Sequence, residues 1–464
     1  MINLILRNMS DIANLSHVTK TLAGGGEVII LDPGALIKPE AQAMLAALHS
    51  RSTGGLRKHL DVLAKKGPDG FMASFYVRYG HKSIGDNAHI AVFIEGVSML
   101  AAKALQDFPL YNGQEASTRY IDFANQKFLN PAGTEEGNQI LETYRSFCLE
   151  GLDRMIAELT VRYPINEGDD EKDYAKAIKA RAFDTMRAFL PAGATTNLAW
   201  YGNVRQFGDR ILTLRHHPLS EVREIAAKLL EAVLEAYPSS FAADLPERHP
   251  DTEIYNSQME TEYAYFDDLH PVEFEFGHDG IDHELLTEHR TALEKRPKKT
   301  ELPFAIRECG TAQFRFLLDF GSFRDIQRHR AVITRMPLLT IRHGFEPWYL
   351  SELTDDLRTK AEILLISQEA LTRTQLQLSA EEMQYYIPMG YRTTIRLTGD
   401  LRGLVYLTEI RATSTVHPTL RMRAHQMAAA LIKYFGSDGL VLHIDDGKDR
   451  FDIKRGTHDI EIKN

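Results

Sequence analysis

Cysteine is nearly missing from this chain, with only Cys148 and Cys309 among 464 residues. A disulfide framework or a cysteine-based zinc cluster needs more thiols than that, and the scarcity fits a reducing compartment. Neither cysteine lies in a nucleophile motif. Cys148 sits in the helical run Tyr144-Arg-Ser-Phe-Cys-Leu-Glu-Gly151, where a thiol serves as a small buried hydrophobe. Long apolar runs are absent as well: Met1-Ile-Asn-Leu-Ile-Leu-Arg-Asn-Met9 is too short for a signal peptide, and no stretch reaches the length of a membrane span. A cytoplasmic protein without a membrane partner is expected. Positive charge is also in deficit. A formal charge of −10 argues against nucleic acid as the partner, because holding its backbone needs a net basic face. It leaves room for a small anion gripped by a few converging arginines.

What remains is ordinary globular composition, 44% hydrophobic and 25% charged, in a chain long enough for two or three domains. Val28–Leu31, Ile90–Ile94 and Phe314–Leu318 read as strands. The Gly24-Gly25-Gly26 triplet lacks the lysine of a phosphate loop and reads as a flexible lead into the first strand. Helical spacing of apolar residues predicts helices over Leu219–Ala236, about Leu357–Leu376, and Leu420–Tyr434. Residues 239–303, rich in Asp, Glu, His and Pro, read as a connection. The chain is therefore divided into 1–240, a connecting stretch 241–300, and 301–464. Leu440–His443 and Phe451–Lys454 are expected to form a terminal hairpin around Asp445-Asp446-Gly447. His283 and His289 are six residues apart, off a common helix face, so a zinc protease motif is rejected; no metal is expected.

A repeat relates the two halves of the chain. Pro191–Arg205 aligns without gaps on Pro388–Arg402, sharing Pro, Gly, Thr, Gly and Arg at equal offsets, and His217–Arg223 lies over His417–Arg423. Each pair precedes or begins an amphipathic helix, which favours an ancient duplication.

Three segments carry the chemistry: Gly80-His-Lys-Ser-Ile-Gly-Asp86, Phe93-Ile-Glu-Gly-Val-Ser98 and Glu115-Ala-Ser-Thr-Arg-Tyr120. Taken singly, the first is a turn and the third a polar loop. In this order and spacing they resemble the flavin-dependent thymidylate synthase (ThyX) family. Downstream, Arg187-Ala-Phe-Leu-Pro191, Asn203-Val-Arg205, Leu214-Arg215 and Glu221-Val-Arg223 resemble further elements of that family. One departure stands out. Where the family has Arg-His-Arg, this chain has Asp107-Phe108-Pro109, whereas Arg328-His329-Arg330 appears in the second half, without a Glu-x-Ser-x-Arg-Tyr loop after it.

The resemblance implies an α+β fold of two homologous units, each a mainly antiparallel sheet flanked by long helices. It implies FAD as cofactor, with NADPH and methylenetetrahydrofolate as co-substrates, and C5 methylation of a pyrimidine nucleoside monophosphate (dUMP to dTMP). Glu115, Ser117, Arg119, Arg223 and Arg423 would bind the nucleotide, because forked guanidiniums and a hydroxyl suit a phosphate dianion. His81, Ser83, Asp86, Asn203, Arg205, Arg328, His329, Arg330 and Arg402 would line the flavin, with Arg119 and Arg328 as catalytic residues. Arg205 and Arg223 would serve equally well in surface ion pairs, and three basic residues in a row are often a solvated helix face. A homodimer is expected. A different uracil nucleotide, or a nucleotide- or flavin-binding protein that has lost turnover, is the alternative.

Overall fold

The structure is a computed structural model that describes residues 17–31, 38–51, 55–78, 82–241, 250–264 and 271–447. In chain order its main elements are β1 (His17–Thr21), β2 (Glu27–Leu31), α1 (Pro39–Arg51), α2 (Gly55–Lys66), β3 (His89–Ser98), α3 (Met99–Gln106), β4 (Asn112–Glu115), α4 (Glu135–Arg162), α5 (Glu171–Met186) and β5 (Thr195–Asn203). There follow α6 (Val204–Leu214), α7 (Ser220–Ala236), α8 (Pro250–Ala264), β6 (Phe274–Ile281), β7 (Gly310–Asp319), α9 (Phe320–Gln327), β8 (Ile333–Arg335), α10 (Asp355–Gln375), β9 (Arg392–Gly399), α11 (Leu401–Arg411) and α12 (Pro418–Phe435). The fold is α+β, with two antiparallel sheets ordered β1-β2-β3-β5-β4 and β6-β7-β9-β8. The chain separates into two compact units, Met1–Thr118 with Thr195–Tyr263, and Arg119–Ala194 with Ala264–Asn464.

The first unit is built on the five-stranded sheet. Val28, Ile30, Val92, Ile94 and Trp200 are buried in its core, and α7 packs against β1 and β2. The helix buries Val222, Ile225, Ala226, Leu229 and Val233, the face its sequence spacing announced. Gly24–Gly26 is not a flexible lead. It closes the β1–β2 hairpin, with Leu22 N donating to Gly26 O at 2.8 Å and Gly25 at φ 82°. A Cβ on Gly26 would lie 2.2 Å from the Glu95 carbonyl, so glycine is required by the neighbouring strand.

The second unit holds the four-stranded sheet. Phe274, Phe276, Phe314 and Phe316 pack together on it, and Phe435 of α12 meets Phe276. Within the interval 239–303, expected as a connection, the chain forms α8, an edge strand β6 paired to β7, and two short helices. Alternation of Phe274 and Phe276 with charged neighbours is the strand signal that the acidic composition masked. Leu440–Gly447 forms no strand. Instead Asp445 is tied down, its carboxylate accepting from Ser414 N at 2.9 Å and its carbonyl from Arg421 at 3.1 Å; Phe451–Lys454 lies outside the described residues. His283 bonds to Asp438 and Asp279, whereas His289 faces Glu308.

The aligned segments meet inside this unit. Pro191 and Pro388 form an antiparallel bridge. Ala192 N donates to Ile387 O and Met389 N to Leu190 O, both at 2.9 Å. One step further, Gly193 N donates to Tyr385 O at 2.9 Å and Gly390 N to Ala188 O at 2.8 Å. Each bond is the counterpart of the other under the sequence alignment, so the contact is two-fold symmetric in its bonding. Among the described residues no helix is long and apolar enough to cross a membrane.

Close backbone approach makes Gly193 irreplaceable: a Cβ there would stand 2.7 Å from Tyr385 O and 3.0 Å from Leu129 O. Neither carbonyl can swing aside as a flexible side chain could. Gly193→Ala is expected to cost about 1–3 kcal/mol, read as a lower urea midpoint; an unchanged midpoint would show that the bridge yields freely.

Candidate functional site

In the first unit the motif residues form short local constellations. Asp86 and Arg205, distant in sequence, are brought to 3.2 Å, each about a third exposed. Ser83 is exposed on the helical turn Lys82–Gly85; its carbonyl accepts from Asn87 at 3.0 Å. His81 lies outside the described residues. Asn203 is buried, where it caps α6: its side-chain oxygen accepts from Gln206 N at 2.9 Å, and Gln206 returns a bond to its backbone. This capping box satisfies two otherwise orphaned donors of the helix start. Glu115 accepts from Gln106 at 2.8 Å, and Ser117 is half-buried in the following loop. Glu221 binds Ser98 N at 2.8 Å and its hydroxyl at 2.5 Å. Arg223 turns back on its own helix entry, donating to the carbonyls of His217 and Pro218, both at 2.7 Å. Asp107 ends α3 and pairs with Lys103 at 3.4 Å, and Phe108 lies under the Arg210 guanidinium.

The second unit contains something different in kind, an alternating ladder of charge. Arg119 donates to both oxygens of Asp184, at 3.1 and 3.4 Å. Arg187 reaches the same carboxylate at 3.5 Å. Asp184 has no exposed surface, whereas Arg119 and Arg187 keep 24% and 16% of theirs. Arg187 also lies in the field of Asp325, and Asp325 holds Arg328 at 3.5 Å. Thus Arg119 and Arg328, far apart in the chain, belong to one electrostatic network. His329 accepts from Arg411 at 2.8 Å and meets Tyr406 edge-on; Arg328 and Arg330 are exposed.

Two of the expected ligand-binding arginines in this unit are committed to the fold. Arg423 is buried, donating to Leu317 O at 2.8 Å, to Gln426 at 2.9 Å and to Glu273 at 3.1 Å. Arg402 donates to Leu302 O at 2.8 Å and pairs with Glu301. Conversely, Asp184, Arg187 and Asp325 were given no role from the sequence. The available signal was spacing: an aspartate stands three residues, one helical turn, before Arg187 and before Arg328.

Residues 37–239 match the family model described as thymidylate synthase complementing protein. Over that stretch the chain is similar to the ThyX-like family. It is 26% identical to a UPF0159 protein of Chlamydia pneumoniae, with 78% of each chain covered. A UPF0159 protein of Thermoplasma acidophilum is 24% identical over 90% of this chain and 96% of its own. A flavin-dependent thymidylate synthase of Mycolicibacterium vanbaalenii is 25% identical over 40% of this chain and 76% of its own length.

The charges of these groups are tuned by burial and by each other. Burial works against the Arg187 charge, but Asp184, Tyr349, Asp325 and Asp319 outweigh it and hold the guanidinium above its usual pKa. Burial likewise raises Asp325, yet Arg328, Arg411, Arg187 and Arg324 bring it below the usual carboxylate value. His329 is driven down to about 3, first by burial and then by Arg411. His217 reaches about 3 through burial, Lys103, Arg210 and Arg223.

Two outcomes follow for stability. Both histidines are neutral in the fold, whereas the unfolded chain takes up protons below pH about 6.5, so acid favours unfolding. Stability present above pH about 6.5 is lost as pH falls toward 3, by at most about 1.4 kcal/mol per pH unit for each histidine. Replacing His217 with Gln should flatten the pH 5–7 limb of the urea-midpoint profile; an unaltered slope would show that this imidazole titrates normally. Second, Asp184→Asn leaves two guanidiniums without their shared anion and should cost about 3 kcal/mol. A melting temperature equal to wild type would mean that the ladder contributes nothing to folding.

Proposed function

We propose that the chain is a tandem, flavin-dependent enzyme that methylates C5 of a pyrimidine nucleoside monophosphate. The observation that carries this reading is the ladder Arg119–Asp184–Arg187 with Asp325–Arg328, which gathers a loop arginine from the first half and the Arg-His-Arg triplet from the second within one compact unit. The duplication reading is supported by the equal strand order β2-β3-β5-β4 and β6-β7-β9-β8, and by the paired hydrogen bonds about Pro191 and Pro388. A helix of eight residues follows the long strand in both cases, ending at Asp107 and at Arg328.

On this reading Arg119 and Arg187 grip the nucleotide phosphate. Two guanidiniums share one carboxylate, so these three groups together keep one net positive charge to meet a dianion. Asp184 acts as a positioning residue that presents both forks at once. Arg328, half-exposed and only loosely held by Asp325, is free to turn its donors toward charge developing on the pyrimidine ring. A flavin suits the residues of the first unit: Ser83, Asp86 and Arg205 offer exposed donors and acceptors of both signs there. When bound, FAD would supply the hydride, with methylenetetrahydrofolate giving the carbon and NADPH the electrons. The chain's own task is orientation and electrostatics, which agrees with thiols that burial keeps protonated: Cys148 is pushed up to about 12. A homodimer accompanies this reading.

A second reading, a nucleotide-binding protein without turnover, draws on Asp107, whose carboxylate stands where the family has a guanidinium and is occupied by Lys103. The two are separated by release of label from C5-tritiated dUMP in the presence of FAD, folate and NADPH, after visible absorbance has established flavin uptake. Arg119→Ala should weaken dUMP binding by about 2–5 kcal/mol, and both Arg119→Ala and Arg328→Ala should lose nearly all nucleotide-dependent flavin oxidation. If either variant keeps about half, the two arginines do not serve one site.

A further inference from the structure

A pocket of about 230 Å³ in the second unit is walled by Leu338, Leu339, Ile341, Met383, Ile387 and Pro388. Strand register fixes its place in the repeat. Strand β4 pairs Gln114 with Ala199, and β8 pairs Arg335 with Arg396; Ala199 and Arg396 are aligned residues. Counting forward, Leu338 and Thr340 stand where the other half of the chain has Ser117 and Arg119. Gln384, in the place of Arg187, spends its side-chain oxygen on Leu339 N at 2.9 Å. The loop that carries Arg119 in one half lines an aliphatic pocket in the other.

The buried part of the lining carries no charge: it consists of Leu339, Ile387 and Pro388 with four hydroxyl residues, Tyr144, Thr372, Tyr386 and Tyr391. Glu369, Arg342 and Arg373 reach solvent, and Glu369 pairs with Arg373 at 3.2 Å. Two of the four hydroxyls are spent on the fold. Thr372 donates to Gln368 O at 2.7 Å, and Tyr386 donates to Asn130. The other two are not. Tyr144 and Tyr391 keep only 2% and 6% of their surface, yet among the described residues neither hydroxyl bonds to protein. A buried phenol ordinarily finds a partner, because leaving it unpaired is costly. Burial above all, with Glu369 adding to it, pushes both phenols up, so each keeps a proton to donate. Two such donors in one aliphatic space select an uncharged acceptor. An anion would give up its hydration to buried walls that hold no cation, and a hydrocarbon would leave both phenols unpaired. The space, below the about 300–1,000 Å³ of drug-sized sites, suits one ring or two fused rings. We propose that this pocket is a second ligand site, taking a small neutral ring compound whose carbonyl oxygen accepts from Tyr144 and Tyr391 while its rings lie against Leu338, Leu339 and Ile387. The proposal rests on the pocket and its two phenols, and stands whether or not the chain methylates nucleotides.

The test is calorimetric titration of the full chain with 1-indanone, and with indane, the same ring system without the carbonyl. Saturable binding of indanone at one site per chain, not displaced by dUMP, is expected, with indane about tenfold weaker or more. Tyr144→Phe and Tyr391→Phe keep the ring and remove only the hydroxyl. Each should weaken indanone about fivefold and leave indane unchanged, and the double variant should bind the two compounds alike. Leu338→Trp should fill the cavity and abolish indanone binding, with circular dichroism showing that the variant is folded; should it not fold, the phenylalanine variants decide. Absence of saturable indanone binding, displacement by dUMP, equal affinity for indane, or unchanged indanone affinity in both phenylalanine variants would each overturn the proposal.

Discussion

A carboxylate with no exposed surface cannot stay ionised in a protein interior without partners, and Asp184 is such a group. Its needs organise the second unit. Arg119 must come in from the end of the β4 loop, and Arg187 from one turn further along its own chain. The backbone carbonyl of the same residue accepts from His417 at 3.4 Å, which ties the start of α12 to the end of α5. The short 3₁₀ turn at Arg187–Phe189 then leads straight into the Pro191 bridge. One buried residue therefore meets two guanidiniums through its side chain and a helix entry through its carbonyl, a short turn away from the symmetric strand contact.

How far the sequence revealed this depended on the kind of signal. The faces of α7 and α12 were legible because a 3.6-residue apolar period survives in any context. Strand β6 was hidden by composition: Phe274 and Phe276 alternate properly, but the surrounding Asp, Glu and His outweighed them. The Gly24–Gly26 turn looked flexible because its constraint, the Glu95 carbonyl, lies on a strand far along the chain. Motif position singled out Arg119 and Arg328 as candidates but could not reveal what surrounds them. Arg423 occupies the place aligned with Arg223, yet it is buried against Leu317 O and Glu273 while Arg223 is spent on its own helix entry. Aspartates were overlooked because a phosphate site is sought among cations, although a buried carboxylate is what makes two cations converge.

The two halves of the chain differ most where charge is most expensive. At the end of the eight-residue helix one half has Asp107, answered by Lys103, and the other has Arg328, answered by Asp325. In the following loop the order reverses, with Ser117 and Arg119 set against Leu338 and Thr340. Each of these guanidiniums meets a carboxylate: Arg119 and Arg187 share Asp184, and Arg328 faces Asp325. Arg187 retains Asp184 one turn before it, while Gln384, its counterpart, is neutral and needs only the Leu339 amide. The charged set Arg119, Asp184, Arg187, Asp325 and Arg328 draws on both halves of the sequence but lies within one unit, so the set as a whole could be read from neither half alone.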